Sequence, residues 1–370
     1  MKTYQRCTRC VMDNKSDDTI VFDSNGVCNY CTDAISNINK VYFPNEEGKR
    51  RLDALIKKLK EEGKGKKYDC LMGISGGLDS SYLAYLGATK WGLRILAVHI
   101  DDGYDAPIAK SNIENLCKSC GIDLITEKPD AEQFNALTKA FILAEVPNIA
   151  IPQDNILFAC LFNYAKKYKV YNFLSGGNFA LESVLQRGNT FTVLDMKHNR
   201  DIQKKFGTKP INKLPFLSQY KKEWYQYVNK IITTRPLDLI NYNKNEAIRE
   251  LKDFCGFTYY EAKHLENILT KVTQLYWFPR KFNVDKRTSH LSSLIVSGQL
   301  TRDEAIIELN KPLYEPIKME EDIKFVLSKL DVSRDEFELL VNRPGKQHTD
   351  YKYDKFFIIM RKIKNLFKTI

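Results

Sequence analysis

The chain has 370 residues, 43% of them hydrophobic and 28% charged, and a net charge of +11 from 57 Lys and Arg against 46 Asp and Glu. That length supports two or three domains with a buried core, in the soluble globular range. No run of about 18 apolar residues exists, which excludes a membrane-spanning helix, and MKTYQRCTRC lacks the apolar stretch of a signal peptide, so a cytoplasmic location is expected. The positive charge suits RNA, a nucleotide or an anionic sugar nucleotide. Much of it falls in helical stretches such as RRLDALIKKLKEEGKGKK, where a solvated face explains it equally well.

Four of the nine cysteines fall within the first 31 residues. Cys7 and Cys10 form one CxxC pair, Cys28 and Cys31 another, a spacing that presents four thiolates tetrahedrally to a structural zinc ion. An iron–sulfur cluster and four unrelated thiols are the alternatives. Between the pairs, Ile20, Val21 and Phe22 predict a short strand and Asp23 to Gly26 a turn. So small a module has little core of its own, and metal ligation would supply its folding energy.

A basic helix is expected over 46–62, with Leu52, Leu55, Ile56 and Leu59 at helical spacing. YDCLMGI (68–74) then reads as a buried parallel strand running straight into SGGLDSS. Gly76 and Gly77 let the backbone turn tightly, and successive amides with the first free amides of the next helix make an anion nest. Ser75 and Ser80 add hydroxyl donors around Leu78, and Asp79 is placed to fix the loop or help hold magnesium. The loop lacks the GKS/T ending of a Walker A motif.

A second strand, 93–100, carries His99 near its end and runs into Asp101 and Asp102. In an open α/β sheet those positions lie where ligands bind. A helix over 107–120 and a third strand, IDLITE, follow. YNFLSGG (171–177) predicts another strand ending in glycines, with Gly176, Asn178 and Glu182 forming the far wall of the same crevice. Cys117 and Cys120 form a third CxxC, for which a redox or sulfur-carrying role is chemically open and spare thiols the plainer reading.

SGGLDSS resembles the SGGXDS loop of the N-type ATP pyrophosphatases, which adenylate a carbonyl or amide oxygen and release pyrophosphate. More of the chain resembles the bacterial N-acetyl sugar amidotransferases: CTRCVMD…FDSNGVCNYC at the start, IPQDN at 151–155, SGGNFALES at 175–183, and KFNVDKRTSHLSSLIVSGQLTRDEA at 281–305. At 260–267 the chain reads YEAKHLEN, keeping Lys263, His264 and Glu266 of a GGKHxES-like family pattern but lacking its glycines and carrying Asn267 in place of serine. The resemblance implies conversion of an N-acetyl group on a nucleotide-linked or related sugar into an acetamidino group, in lipopolysaccharide or flagellin glycan pathways. It implies ATP and Mg2+, and ammonia from a separate glutaminase subunit alongside a cyclase-like subunit. The runner-up is a tRNA-thiolating or other tRNA-modifying enzyme.

Such chemistry needs cations over the phosphates and groups that orient substrate or manage protons. The candidates are Lys263, His264, Glu266, Lys281, Asp285, Lys286, Arg287 and His290, with Asp79 from the loop. A Thr301-capped helix with Glu304 in a capping box follows. The C-terminal FFIIMRKIKNLFK is a basic amphipathic segment able to dock a partner or membrane surface or, more simply, to pack on its own domain. The expected architecture is a zinc knuckle (1–40), an α/β parallel-sheet PP-loop ATP pyrophosphatase domain of the adenine nucleotide alpha hydrolase-like kind (41–240), and a mainly helical substrate or partner domain (241–370).

Overall fold

The structure is a computed structural model and describes residues 3–260, 265–357 and 359–360. Its centre is a five-stranded parallel sheet: β1 (Cys70–Gly73), β2 (Ile95–Ile100), β3 (Asp123–Glu127), β4 (Asn172–Leu174) and β5 (Ile232–Thr234), in the order β3-β2-β1-β4-β5. Both faces of the central strands are buried, as an all-parallel sheet requires. Cys70, Met72, Ile95 and Ala97 point into one apolar cluster with Leu59, Leu83, Ile113 and Leu116 of the helices Glu46–Glu62, Leu78–Tyr85 and Pro107–Cys120. Leu71, Leu96 and Val98 point to the opposite face, against Ala159, Leu161, Phe162 and Ala165 of the helix Ile151–Tyr168.

The expected elements form with boundaries trimmed by up to three residues at an end, the strand expected at 171–177 reducing to Asn172–Leu174. The helix Glu46–Glu62 starts where the Asn45 side chain accepts hydrogen bonds from Glu47 N and Gly48 N, and it buries Leu52 and Leu59. Thr301 and Glu304 make the expected capping box on the helix Arg302–Asn310. The strand expected at Ile20–Phe22 reduces to one bridge, Phe22 opposite Cys28, closed by the Asp23–Gly26 turn with Gly26 at φ +75°. The loop is spent on bringing thiols together, which leaves no length for a ladder.

Two hydrophobic cores draw residues from distant parts of the chain. Cys7, Cys10, Met12, Cys28, Tyr30 and Cys31 belong to the same cluster as β1, so the cysteine module packs on the sheet domain. Ala247 and Leu251, beyond 241, join that cluster too. A second core unites Phe134, Leu137 and Phe141 with Trp277, Met319, Ile323 and Phe337, drawing on both sides of residue 241. Among the described residues, no helix is long and apolar enough to cross a membrane.

Two buried histidines pin the C-terminal strap to this second core. Asn148 N donates to His348 Nε2 at 3.2 Å, which places that ring's proton on Nδ1, facing His198 Nε2 at 3.3 Å. Burial holds the His198 pKa below its usual value, and burial with the neighbouring His198 pushes His348 down to about 3. Both rings are therefore neutral when folded and take up protons more readily when unfolded. Stability is full above the unfolded pKa of 6.5 and declines as pH falls below it. At pH 5 the loss from the His348 ring amounts to about 2 kcal/mol. Urea unfolding at pH 5 and 7.5 should show that loss, and His348→Phe should flatten it; a pH-independent midpoint in the unsubstituted protein would refute the neutral pair.

Candidate active site

Strand order reverses between β1 and β4, because β2 and β3 lie on one side of β1 while β4 and β5 lie on the other. A crevice opens at such a switch point, outside the C-terminal strand ends. Two glycine loops rim it here, Ser75–Gly77 after β1 and Ser175–Gly177 after β4. They are in contact: a Cβ on Gly176 would stand 3.0 Å from the backbone of Asp79 and Ser80. Gly76 has φ +76°, and a Cβ there would meet Ala109 O at 2.5 Å, so the turn presses on the helix Pro107–Cys120. Only glycine meets both demands.

The first crevice, about 440 Å³, is lined by Ser75, Gly77, Leu78, Asp79 and Ser80, and faced by Gly176, Glu182, Tyr259, Tyr260, Arg287 and His290. Tyr259 and Tyr260 stack at 5.4 Å, and Lys244 Nζ lies 4.9 Å from the Tyr259 ring centre. Tyr242 OH donates to Asp79 Oδ1 at 2.5 Å and fixes that carboxylate. Burial, then the Asp79 charge, holds the Tyr242 phenol well above its ordinary pKa, so it remains a donor. At the loop, Gly77 N donates to Ser75 Oγ at 3.2 Å, and Ser75 Oγ donates to Glu266 Oε1 at 3.1 Å. The Glu266 carboxylate thus stands at the nest, its Oε2 buried with no hydrogen bond among the described residues. The glycine loop and the first turn of the helix Leu78–Tyr85 border this crevice, with Asp79 and Glu182 among its carboxylates.

A second crevice, about 500 Å³, adjoins the first and shares Ser75, Glu266 and His290 with it. Its walls carry His99, Asp102, Asp105, Gln153, Asp154, Asn189, Thr190, Asn267 and Lys286, a density of hydrogen-bonding groups suited to a polyhydroxylated ligand. Ile74 O lies 3.0 Å from His99 Nδ1, which must donate, while His99 Nε2 faces Asp105 Oδ2 at 2.9 Å. Burial opposes a charge on the ring, but the Asp105 hydrogen bond and charge outweigh it and raise the His99 pKa. Burial lowers the Lys286 pKa, with the Asp17 charge opposing, and its Nζ lies 5.2 Å from the Phe278 ring centre.

One helix, Arg287–Val296, joins these crevices to the cysteine module. Its buried serines let other backbones approach: Val11 N donates to Ser292 Oγ at 3.2 Å and Val184 N to Ser293 Oγ at 3.0 Å, while the half-buried C-cap Ser297 donates its Oγ to Ala180 O at 2.8 Å. Arg302 Nη2 donates to Cys7 O at 3.1 Å and its Nε to Cys10 O at 3.2 Å. The four buried sulfurs lie within 4.8 Å of one another, with Cys7 N–H-type support from Arg9, Cys10 and Cys28 amides on Cys7 Sγ. Hydrogen bonds from Cys10, Cys28 and Cys31 drive Cys7 toward thiolate, while sharing with Cys10, Cys28 and Cys7 pushes Cys31 up. A cation at the centre relieves that competition, and the closed, four-thiol donor set makes this a metal-binding cluster.

Of the residues singled out in the sequence, Ser75, Gly77, Leu78, Asp79, Ser80, Gly176, Glu182, Glu266, Arg287 and His290 converge on the first crevice. His99 and Lys286 face the second. Gly76 shapes the turn, and Asn178 caps the helix Phe179–Glu182 through Leu181 N. Asp101 is turned away: it pairs with Lys110 at 3.1 Å and Lys128 at 3.6 Å, and Asp102 and Asp105 take the crevice positions. Lys281 is a buried tether, ion-paired with Glu145 at 2.8 Å and donating to Leu340 O and, at 2.9 Å, to Arg343 O. Asp285 holds Arg287 at 2.8 Å and lines neither crevice. Lys263 and His264 lie outside the described residues. Sequence reasoning missed Tyr242, Tyr259, Tyr260, Asp105 and Asp154, which no motif marks; Asp154 alone carried a signal, inside IPQDN.

Residues 266–364 match the model of the LPS biosynthesis protein WbpG-like, C-terminal domain family, a segment that includes the serine-rich helix. Over 121 residues the chain is 31% identical to the uncharacterized protein MJ1599 of Methanocaldococcus jannaschii, covering 32% of this chain and 41% of the relative. The chain thus spans less than half the length of that curated relative. Among solved structures it is similar to the U34-tRNA thiolase NcsA from Methanococcus maripaludis with its 4Fe-4S cluster, at 15% identity over 84% of this chain and 90% of that one, TM-score 0.36. NMN synthetase from Francisella tularensis matches at 16% identity over 59% of this chain and 98% of that one, TM-score 0.30. An NH3-dependent NAD synthetase from Campylobacter jejuni matches at 15% identity over 56% and 93%, TM-score 0.29.

Purified protein should carry about one metal equivalent per chain. Cys10→Ser should lose that metal and melt at a lower temperature, because the cluster is part of the main core. A metal-free protein with an unchanged melting point would contradict this.

Proposed function

We propose that this chain, whose residues 266–364 match the WbpG-like C-terminal domain model, is an ATP-dependent amidotransferase that turns an N-acetyl group of a sugar into an acetamidino group. The observation that carries the reading is the pair of adjoining crevices, one with an anion nest and stacked tyrosines, the other densely polar, sharing Ser75, Glu266 and His290. In this reading a nucleotide's α-phosphate and an acceptor's amide oxygen meet from either side of that boundary.

An amide oxygen is a poor leaving group, and its carbon resists ammonia. In the proposed reaction the amide oxygen attacks the α-phosphorus of ATP and pyrophosphate leaves. Ammonia then adds to the imidate carbon, and AMP departs with the carbon–oxygen bond's electron pair. The Ser75–Gly77 loop borders the departing pyrophosphate, and Arg287, held by Asp285 and by the carbonyls of Glu308 and Lys311, forms part of the facing wall. Tyr242 keeps Asp79 in place beside the phosphates. Tyr259 and Tyr260 offer an aromatic face to the base. His290, at the boundary, is placed to orient the acceptor carbonyl. Lys286 and the His99–Asp105 pair address the sugar.

The metal of the four-cysteine cluster is zinc in this reading, since a closed thiolate shell supports structure rather than substrate binding. Ammonia comes from a separate glutaminase subunit acting with a cyclase-like subunit, in the cytoplasm. The tRNA-thiolating alternative would call on Cys117 and Cys120. Burial pushes Cys117 up to about 11 and Cys120 up to about 12, and neither lines a crevice. Such thiols are poor nucleophiles at neutral pH.

The test is pyrophosphate release with ATP, ammonium and a panel of UDP- and CMP-linked N-acetyl sugars. Sugar-dependent release, with a product in which NH replaces the amide oxygen, is expected. Release that requires tRNA instead would end the proposal. Asp79→Ala should lower turnover by about 100-fold or more without changing metal content. Gly176→Ala should weaken ATP binding about tenfold, because the added methyl forces the two loops apart; an unchanged ATP affinity would show that their contact is dispensable.

A further inference from the structure

Glu266 stands where the two crevices meet. Asp79 and Glu182 border the first and Asp102, Asp105 and Asp154 the second, and Glu266 alone among the crevices' carboxylates borders both. The residue is 8% exposed. Its Oε1 accepts from Ser75 Oγ at 3.1 Å, and its Oε2 is buried with no hydrogen bond among the described residues. The backbone around it is pinned. Ala106 N donates to Glu266 O at 2.9 Å, Ile268 N donates to Tyr104 O at 2.7 Å, and Asn267 forms an antiparallel bridge with Asp105. The carboxylate lies so close to the glycine loop that a Cβ on Gly77 would stand 2.8 Å from Oε1.

A buried oxygen without a partner calls for an explanation. Nearby acids need none. Asp79 accepts from Tyr242 OH, Asp105 faces His99 Nε2, and Asp102 accepts from Tyr104 N, Gln153 Nε2 and Asn267 Nδ2. A resident metal does not explain Glu266, because among the described residues the only group of three or more metal-ligating side chains is the four-cysteine cluster. The reaction proposed above supplies the missing donor. As the amide oxygen attacks phosphorus, positive charge develops on the amide nitrogen and its N–H becomes acidic. Left protonated, the adduct is a cation that pyrophosphate turns back into amide and ATP. Loss of the proton gives a neutral imidate that lasts until ammonia adds.

We propose that Glu266 is the catalytic base of the adenylation step, its open Oε2 taking the acetamide N–H proton as the amide oxygen attacks the α-phosphorus. The inference rests on the amidotransferase reading for its chemistry. The oxygen–phosphorus bond forms from the carbonyl π pair, and the N–H pair becomes the carbon–nitrogen double bond. The bond from the α-phosphorus to the bridging oxygen breaks, and pyrophosphate leaves with that pair. The proton passes to Glu266 and returns to solvent when the product departs. Ser75, bound to Oε1, fixes the carboxylate's direction from the nucleotide side.

The test uses the full chain, ATP and whichever sugar of the panel above supports pyrophosphate release. Glu266→Gln keeps an acceptor for Ser75 Oγ but removes the base; it should lower kcat for sugar-dependent release about 100-fold while the KM for ATP stays within about twofold. Glu266→Ala should regain activity as sodium formate is added, a response that a merely structural role would not give. A Glu266→Gln enzyme with full kcat, or a Glu266→Ala enzyme indifferent to formate, overturns the inference. If neither variant folds, a crystal of the unsubstituted protein with α,β-methylene-ATP and the sugar decides. The acetamide nitrogen should then lie about 3 Å from a Glu266 oxygen, and absence of that contact overturns the inference. Sugar-dependent release that ignores Glu266 fells this inference and leaves the amidotransferase reading standing; no release with any sugar fells both.

Discussion

The site depends on one contact, the approach of two glycine loops where the parallel sheet changes direction. A methyl group on Gly176 would crowd the backbone of Asp79 and Ser80 at 3.0 Å, and one on Gly76 would collide with Ala109 O at 2.5 Å. The first contact exists only because β4 pairs with β1, on the side away from β2, which brings the second loop to the mouth of the first. The Glu266 carboxylate accepts from Ser75 Oγ beside this contact.

The helix Arg287–Val296 transmits this order outward. Serines at 289, 292 and 293 replace bulk with hydroxyls, so the helix lies close to both the cysteine module and the segment after the second glycine loop. Arg302 closes the assembly by binding the carbonyls of Cys7 and Cys10. The metal cluster, far along the chain from His290 and Arg287, is thereby coupled to the wall they form. An isolated knuckle would fold by ligation alone; this one shares its core with the sheet, so loss of metal unsettles the site as well as the module.

What the sequence disclosed follows from how local each signal was. The strand–SGGLDSS–helix junction, the cysteine pairs and the Thr301 cap are encoded within a few residues, and each formed as expected. Lys281 was misleading because charge in a basic run says nothing about direction: its side chain turns inward to Glu145 and the end of the helix Arg334–Asn342. Asp101 and Asp105 illustrate the same limit, since only the path of the chain after β2 decides which carboxylate meets Lys110 and which meets His99. Tyr242 and Tyr259 reach the crevice from segments with no motif, and Tyr260 opens the YEAKHLEN stretch without itself belonging to the pattern there. Domain limits were illegible for a related reason: the second core joins the helix Ala131–Leu143 to residues beyond 269, a long-range choice made by side-chain packing.

The central claim is that the boundary between the two crevices joins an acceptor's amide oxygen to the α-phosphorus of ATP. An acceptor sugar whose N-acetyl carbonyl carries heavy oxygen tests it most directly, with mass spectrometry of the products. The account predicts that the label appears in AMP and is absent from pyrophosphate and from the amidine. Label retained in the sugar product, or recovered in phosphate or pyrophosphate, would contradict it.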